Sequence, residues 1–285
     1  MNNHLDRIHH FTGTPYDIGF SVGQTLGGKL EKTFSHYIAN MSDSSDMEKL
    51  HTGALPWLRN LPKRFQGEFE GMAAGANIPL QNLDVFTPTG INKEKLWLHD
   101  NFLPVWDQPR TGKPHIPCYV FLTEALELGR SISDVEALLN ETDRDGGMLL
   151  FAVDGKTDEF ALFDCMCSKH FRRNPSDGWI VGTNHYCACE DLTLADDEAS
   201  IRTLNRFSRA ESLVRDLCAS PTCPSLPADL IRILADDRIE RRVSKLDTAY
   251  SNVACPNTGE VWYTFGGYPS ASKGDWQQLE WPWKE

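Results

Sequence analysis

The residues of this chain best suited to chemistry gather at Gly182-Thr183-Asn184-His185-Tyr186, where the apolar run Trp179-Ile180-Val181 ends. The pattern predicts a buried strand that delivers an amide and an imidazole to a sheet edge or cleft. A buried Asn without hydrogen-bond partners costs about 1–3 kcal/mol. Asn184 beside His185 is therefore most simply explained by a site that uses both groups. The competing explanation is a strand end whose polar residues face a loop. His185 is open to three roles: ligand, acid–base group, or satisfied structural histidine. Cysteines supply the remaining candidates. Cys165-Met166-Cys167 and Cys187-Ala188-Cys189 each place two thiols on one side of an extended chain. Four such sulfurs could surround a tetrahedral zinc or simply pack together. Zinc knuckles prefer longer spacings, so no metal and no cofactor is expected. Cys118 follows Pro117 at a helix start, where a thiol pKa can fall; the alternative is that it packs. Cys167-Ser168 is the only Cys-Ser pair.

The bulk properties exclude several partners. The chain has 285 residues, 40% apolar and 24% charged, with a formal net charge of −12. That composition suits a globular protein with one large core or two small ones. An acidic chain of this kind is not expected to bind nucleic acid, which attracts a basic face. No apolar run is long enough to span a bilayer, and Met1-Asn2-Asn3-His4-Leu5-Asp6-Arg7 lacks the apolar core of a secretory signal. The expectation is a cytoplasmic protein with reduced thiols and no membrane partner.

The elements that must position these residues change in character along the chain. Thr14 suits an N-cap, Pro15 the first helical position and Asp17 a capping carboxylate. Ile18, Val22, Leu26, Leu30 and Phe34 then recur every four residues, which predicts an amphipathic helix ending near residues 42–46. Leu61-Pro62 opens a second helix, ended by Asn77 and Pro79. Its Gly71, Ala73, Ala74 and Gly75 form a small-residue surface that would admit a neighbouring backbone. Thr87-Pro88-Thr89-Gly90-Ile91-Asn92 is turn-rich, and Leu96, Leu98 and Phe102 suit a strand. Pro117 and Gly129 bracket a helix, and Ser133-Asp134-Val135-Glu136 predicts a capping box for the next one, stapled by Ile132. Beyond it the period becomes that of strands: residues 148–153, a turn at Asp154-Gly155, then residues 159–165. Ile201, Leu204, Val214 and Leu217 sit at helical spacing, and residues 226–236 read as a short helix. Residues 248–255 and 260–265 return to strands. Paired helices and hairpin strands predict an α+β domain with an antiparallel sheet.

Taken together, these segments resemble the acyl-coenzyme A:6-aminopenicillanic acid acyltransferase family of N-terminal-nucleophile hydrolases. The matching stretches are Gly13-Thr14-Pro15-Tyr16-Asp17-Ile18-Gly19, Phe69-Glu70-Gly71-Met72-Ala73-Ala74-Gly75-Ala76, Arg110-Thr111-Gly112-Lys113-Pro114, Gly182-Thr183-Asn184-His185-Tyr186 and Phe265-Gly266-Gly267-Tyr268-Pro269-Ser270, in that order. The resemblance implies a single domain over 1–285 with a four-layer αββα sandwich and a reduced central sheet. Residues 1–89 would be its helical part, and 90–285 its helix pair and antiparallel sheet. It also implies hydrolysis or acyl transfer at linear amide bonds, with a small-molecule amide or acyl donor as partner. The family nucleophile is a self-processed N-terminal cysteine, acting through thiol and α-amine. Asn184 matches its oxyanion-hole donor. Cys165 falls where a small polar residue lies near the nucleophile, and Lys245 where a basic residue is common. His185 adjoins them in the motif. No cysteine stands where the family places its nucleophile, after the region matching residues 83–89. Thr123 also replaces an expected arginine. The pattern therefore suggests that tens of residues are missing between Thr89 and Ile91. The alternative function is a catalytically inactive relative acting as a binding or scaffold protein.

Overall fold

The computed structural model describes residues 9–41, 58–59, 61–80, 89–113, 115–188, 197–220, 225–242, 248, 250–265, 267–279, 281 and 283. The chain divides into two compact units, residues 1–86 and 87–285.

Among the described residues, the first unit is built on two helices, α1 (Pro15–Met41) and α2 (Lys63–Ala76). The capping box at the start of α1 forms as its residues dictate. Thr14 Oγ1 accepts from the Asp17 amide at 3.2 Å, and Asp17 Oδ2 accepts from the Thr14 amide at 3.1 Å and its hydroxyl at 2.6 Å. These bonds, the hydroxyl's first, hold the Asp17 carboxyl below its ordinary pKa. Asn77 ends α2 in the left-handed region at φ 55°, its amide returning to Ala73 O and Ala74 O. The small residues allow α1 and α2 to touch backbone to backbone. A Cβ on Gly19 would lie 1.9 Å from Glu68 O, and one on Gly71 or Gly75 would lie 2.1 Å from Tyr16 O or Phe20 O.

The second unit carries the helices α3 (Cys118–Leu128), α4 (Ile132–Glu141), α5 (Glu198–Ala219), α6 (Ala228–Leu234) and α7 (Ser270–Lys273). Its strands are β1 (Thr89–Ile91), β2 (Leu96–Leu103), β3 (His115–Ile116), β4 (Asp143–Arg144), β5 (Gly147–Asp154), β6 (Glu159–Cys165), β7 (His170–Arg173), β8 (Tyr250–Cys255), β9 (Glu260–Phe265) and β10 (Gln277–Leu279). The main sheet runs β1-β2-β5-β6-β7 and a smaller one β10-β9-β8, every neighbour antiparallel. Short β3 and β4 pair in parallel and tie the chain entering α3 to the end of α4. The fold is α+β, as the paired helices and hairpins imply.

The layers follow from which face each strand buries. On one face of the main sheet, α3 and α4 pack through Leu98, Leu150, Ala152 and Phe163, all at most 1% exposed. On the other, His99 meets the Tyr250 ring of β8 at 6.3 Å, and the turn at Pro256 packs on Gly155 of the β5–β6 turn. Helices α6 and α7 lie against β8 and β9. The order of layers is thus helix, sheet, sheet, helix, with three strands of the second sheet among the described residues.

Three sequence expectations change. The cap of α4 is Ser131, whose Oγ accepts from the Asp134 amide at 3.2 Å, while Asp134 Oδ2 accepts from Arg130 N at 2.8 Å. Starting there, and not at Ser133, puts Ile132, Val135 and Leu139 on one buried face. Second, Thr89-Gly90-Ile91 is a strand, and the chain reaches Leu96 through an intact hairpin with no break in pairing. Asn92 closes it: Oδ1 accepts from the Glu94 and Leu96 amides, both at 3.0 Å, and Nδ2 donates to Leu126 O and Gly129 O, both at 2.8 Å. Third, residues 179–186 are not a strand. Trp179 makes one isolated bridge to Ser176, and the segment then runs as irregular chain.

Candidate functional site

What replaces strand pairing for residues 181–188 is a buried ion pair. Adjacent residues of a strand point to opposite faces. On β6, Asp164 points to the face that this segment covers, and Cys165 points to the helix layer. Asp164 is fully buried; its Oδ1 accepts from Arg173 Nε at 3.0 Å, and its Oδ2 from the Cys187 and Ala188 amides at 2.7 and 2.8 Å. Arg173 in turn donates to Val181 O at 3.1 Å. The backbone groups of an irregular buried segment must find partners, and this pair supplies them at both ends. Gly182 lies close over the sheet, where a Cβ would come within 2.6 Å of Leu149 Cδ2 and the Leu149 side chain would have to shift.

The anchored segment sets Asn184 at the wall of a cleft of about 1260 Å³. One side of the cleft is the chain leaving β2, with Phe102 and Trp106; the other is α5 and the residues after α6, with Arg202, Arg206 and Arg241. The Asn184 amide is fixed at both ends. Its Nδ2 donates to Phe102 O at 2.8 Å, and its Oδ1 accepts from Arg206 at 2.7 Å. Its backbone N donates to Thr203 Oγ1 at 2.9 Å. Nδ2 carries a second hydrogen, which no acceptor among the described residues takes. A side-chain amide held in one orientation with one N–H to spare can donate to a ligand oxygen.

His185 turns away from the cleft into a buried cluster. Its Nδ1 lies 3.1 Å from Thr183 Oγ1 and 3.3 Å from Thr203 Oγ1, and its ring meets Phe207 edge-on. Thr183 donates to Thr203 O, and Thr203 donates to Thr183 Oγ1. Nε2 faces Cys187 Sγ at 3.4 Å. Burial, then Arg173, lowers the His185 pKa, with Arg206 adding to the effect, and burial raises that of Cys187.

Cys165 and Cys118 do not join Asn184. Cys165 is fully buried on the helix side of β6, with its pKa pushed up to about 12 by burial. Tyr186 links the two faces only through the backbone, donating to Cys165 O at 3.2 Å and Pro104 O at 2.7 Å. Cys118 is packed, its Sγ 3.5 Å from Gly146 O, and burial raises its pKa as well. Lys245 and Cys189 lie outside the described residues. Among those described, no group of three or more His, Cys, Asp or Glu side chains is placed to hold a metal, and no helix is long and apolar enough to cross a membrane.

Two sets of residues escaped the sequence reading. Asp164 had a signal: a carboxylate inside Phe160-Ala161-Leu162-Phe163-Asp164-Cys165 must find donors or stay neutral. The arginines had another, since Arg202, Arg206 and Arg209 lie at i, i+4 and i+7 on one helix face of an acidic chain.

No protein-family model matches the chain, and no curated protein matches it. Among solved structures the chain is similar to two variants of conjugated bile acid hydrolase from Clostridium perfringens. They show 13% and 12% identity and TM-scores of 0.44 and 0.43, each over 68% of this chain and 77% of that one. It is also similar to penicillin V acylase from Agrobacterium tumefaciens, at 12% identity and TM-score 0.49 over 69% of this chain and 66% of that one. A likeness of that degree carries no chemistry across.

Proposed function

We propose that the cleft takes a linear amide or its acyl product, and that the chain acts on amide C–N bonds by hydrolysis or acyl transfer. The observation that supports this most is the Asn184 amide, fixed by Phe102 O and Arg206 with one N–H unspent at the cleft wall. An amide so held needs no reorganisation when a carbonyl oxygen gains negative charge. Asn184 is the oxyanion donor in this reading, and Asp164 with Arg173 positions it. The motif resemblance around Asn184 supports the same role.

The test is turnover of a panel of N-acyl amides, read as released amine by mass spectrometry. Asn184→Ala is expected to lower kcat about 10²–10³-fold with little change in melting temperature. Turnover unchanged in that variant would overturn the role.

A second reading, a non-catalytic relative that binds the same ligand, is favoured by one observation. The described walls of the cleft include no cysteine, and burial raises the pKa of Cys118, Cys165, Cys167 and Cys187. The two readings separate on a cysteine-directed acylating probe. One stoichiometric adduct by intact mass supports catalysis, and slow labelling of several thiols supports binding alone.

A further inference from the structure

The described wall of the cleft carries six arginines against three carboxylates, Asp197, Asp237 and Glu240, in a chain whose formal net charge is −12. Arg202 and Arg206 stand four residues apart on α5, where like charges repel. Arg241 faces them from the segment after α6. Other arginines nearby are neutralised: Arg209 donates to Asp236 at 2.9 and 2.5 Å, and Arg242 lies 3.5 Å from Glu240. Arg206 is different. Its partner among the described residues is the neutral oxygen of Asn184, and burial, then Arg241 and Arg202, lowers its pKa. Among the described residues Arg202 forms its ion pair with Glu198, whose side chain is 84% exposed, and its charge also reaches Asp197. A half-buried guanidinium facing two more cations is stabilised by an anion held among them. The opposite wall is apolar: Phe102 is 66% exposed and Trp106 46%, both on the cleft. Large exposed apolar side chains that line a concave surface mark a place where a ligand is buried.

We infer that the ligand of this cleft is an amphipathic anion, with its charged group among Arg202, Arg206 and Arg241 and its apolar chain against Phe102 and Trp106. The inference rests on the acyl reading of the cleft only for the position of the carbonyl, at Asn184.

The test is calorimetric titration of the full chain with two probes, N-decanoylglycine and its uncharged amide, N-decanoylglycinamide. The carboxylate is expected to bind at least tenfold tighter, and the gap to close in the double variant Arg202→Gln/Arg241→Gln, which leaves the bonds of Asn184 untouched. Equal affinity for the two probes, or a gap that persists in the variant, overturns the anion site and leaves the acyl reading standing. If neither probe binds, the acyl reading fails. Inorganic phosphate then decides the anion site: a thermal shift lost in the variant supports it, and no shift overturns it.

Discussion

Replacing Arg144 with methionine is expected to lower the unfolding free energy by about 3–5 kcal/mol, the range for stripping one partner from a buried charged network. Arg144 is fully buried, and its hydrogen bonds go to main-chain carbonyls. Nε and NH2 donate to Met166 O at 3.1 and 2.9 Å, NH1 to Leu139 O and Thr142 O at 3.2 and 2.6 Å, and NH2 to Lys169 O at 3.2 Å. The guanidinium also lies 5.6 Å from the centre of the Phe121 ring. It joins the end of α4 to the turn between β6 and β7. Methionine fills much of the volume but takes a donor from all four carbonyls, of which Lys169 O keeps the Met166 amide at 2.8 Å. Lysine should restore only part of the loss, because one ammonium cannot span a cage shaped for a planar fork. Urea unfolding at neutral pH checks this. A loss under about 1 kcal/mol would mean that water replaces the guanidinium easily and that the cage is not structural.

The second large effect is a pair of opposed pH dependences on β2. Asp100 is 6% exposed, its Oδ1 has no partner among the described residues, and burial raises its pKa to about 7. Its unfolded form ionises near 4. From pH 4 to 7 the unfolded state therefore gives up a proton that the folded state keeps, and stability falls with rising pH by on the order of 4 kcal/mol. His99 works in the other direction. Its Nδ1 is sealed from solvent although the residue as a whole keeps some exposure, and burial lowers its pKa to about 4. Its contribution is fully present above pH 6.5 and is lost as pH falls towards 4, so the neighbours largely offset each other. Asp100→Asn should match the wild type near pH 4 and exceed it above pH 7 by up to about 4 kcal/mol. His99→Phe should show the reverse slope between pH 4 and 6.5. Parallel stability–pH curves for both variants and the wild type would remove these groups from the account.

Much of the fold was legible because local chemistry and global packing agree. Thr14 and Asp17 cap α1 as their spacing requires, Asn77 ends α2, and Asp154-Gly155 turns β5 into β6. The small residues of α2 announced a close backbone contact, and Gly19, Gly71 and Gly75 make it. The sequence misled where tertiary partners decide. Trp179-Ile180-Val181 has the composition of a strand, yet Trp179 pairs with Ser176, Val181 O is satisfied by Arg173 and the Cys187 and Ala188 amides by Asp164, and no linear pattern reveals that. Ser133 carries a capping signature as good as that of Ser131; the choice falls to the register that buries Ile132. Asn92 looked like one member of a turn and proves to be the clasp between the β1–β2 hairpin and α3.

The candidate site divides in the same way. Asn184 could be singled out because an amide at the end of an apolar run needs partners, and the structure supplies them in Phe102 O and Arg206. His185 is its neighbour in sequence, but its ring belongs to a different cluster, with Thr183, Thr203 and Phe207. Cys165 parts from Asn184 because consecutive residues of β6 face opposite ways: Asp164 takes the face beneath the segment, and the thiol is left on the other.

The most direct measurement is a crystal structure of the full chain with N-decanoylglycine bound. The account predicts the ligand's carbonyl oxygen about 2.7–3.1 Å from Asn184 Nδ2, the distance an oxyanion donor requires, with the bond to Phe102 O kept. A bound ligand whose carbonyl is held elsewhere, with Asn184 Nδ2 donating to Phe102 O alone, would contradict it.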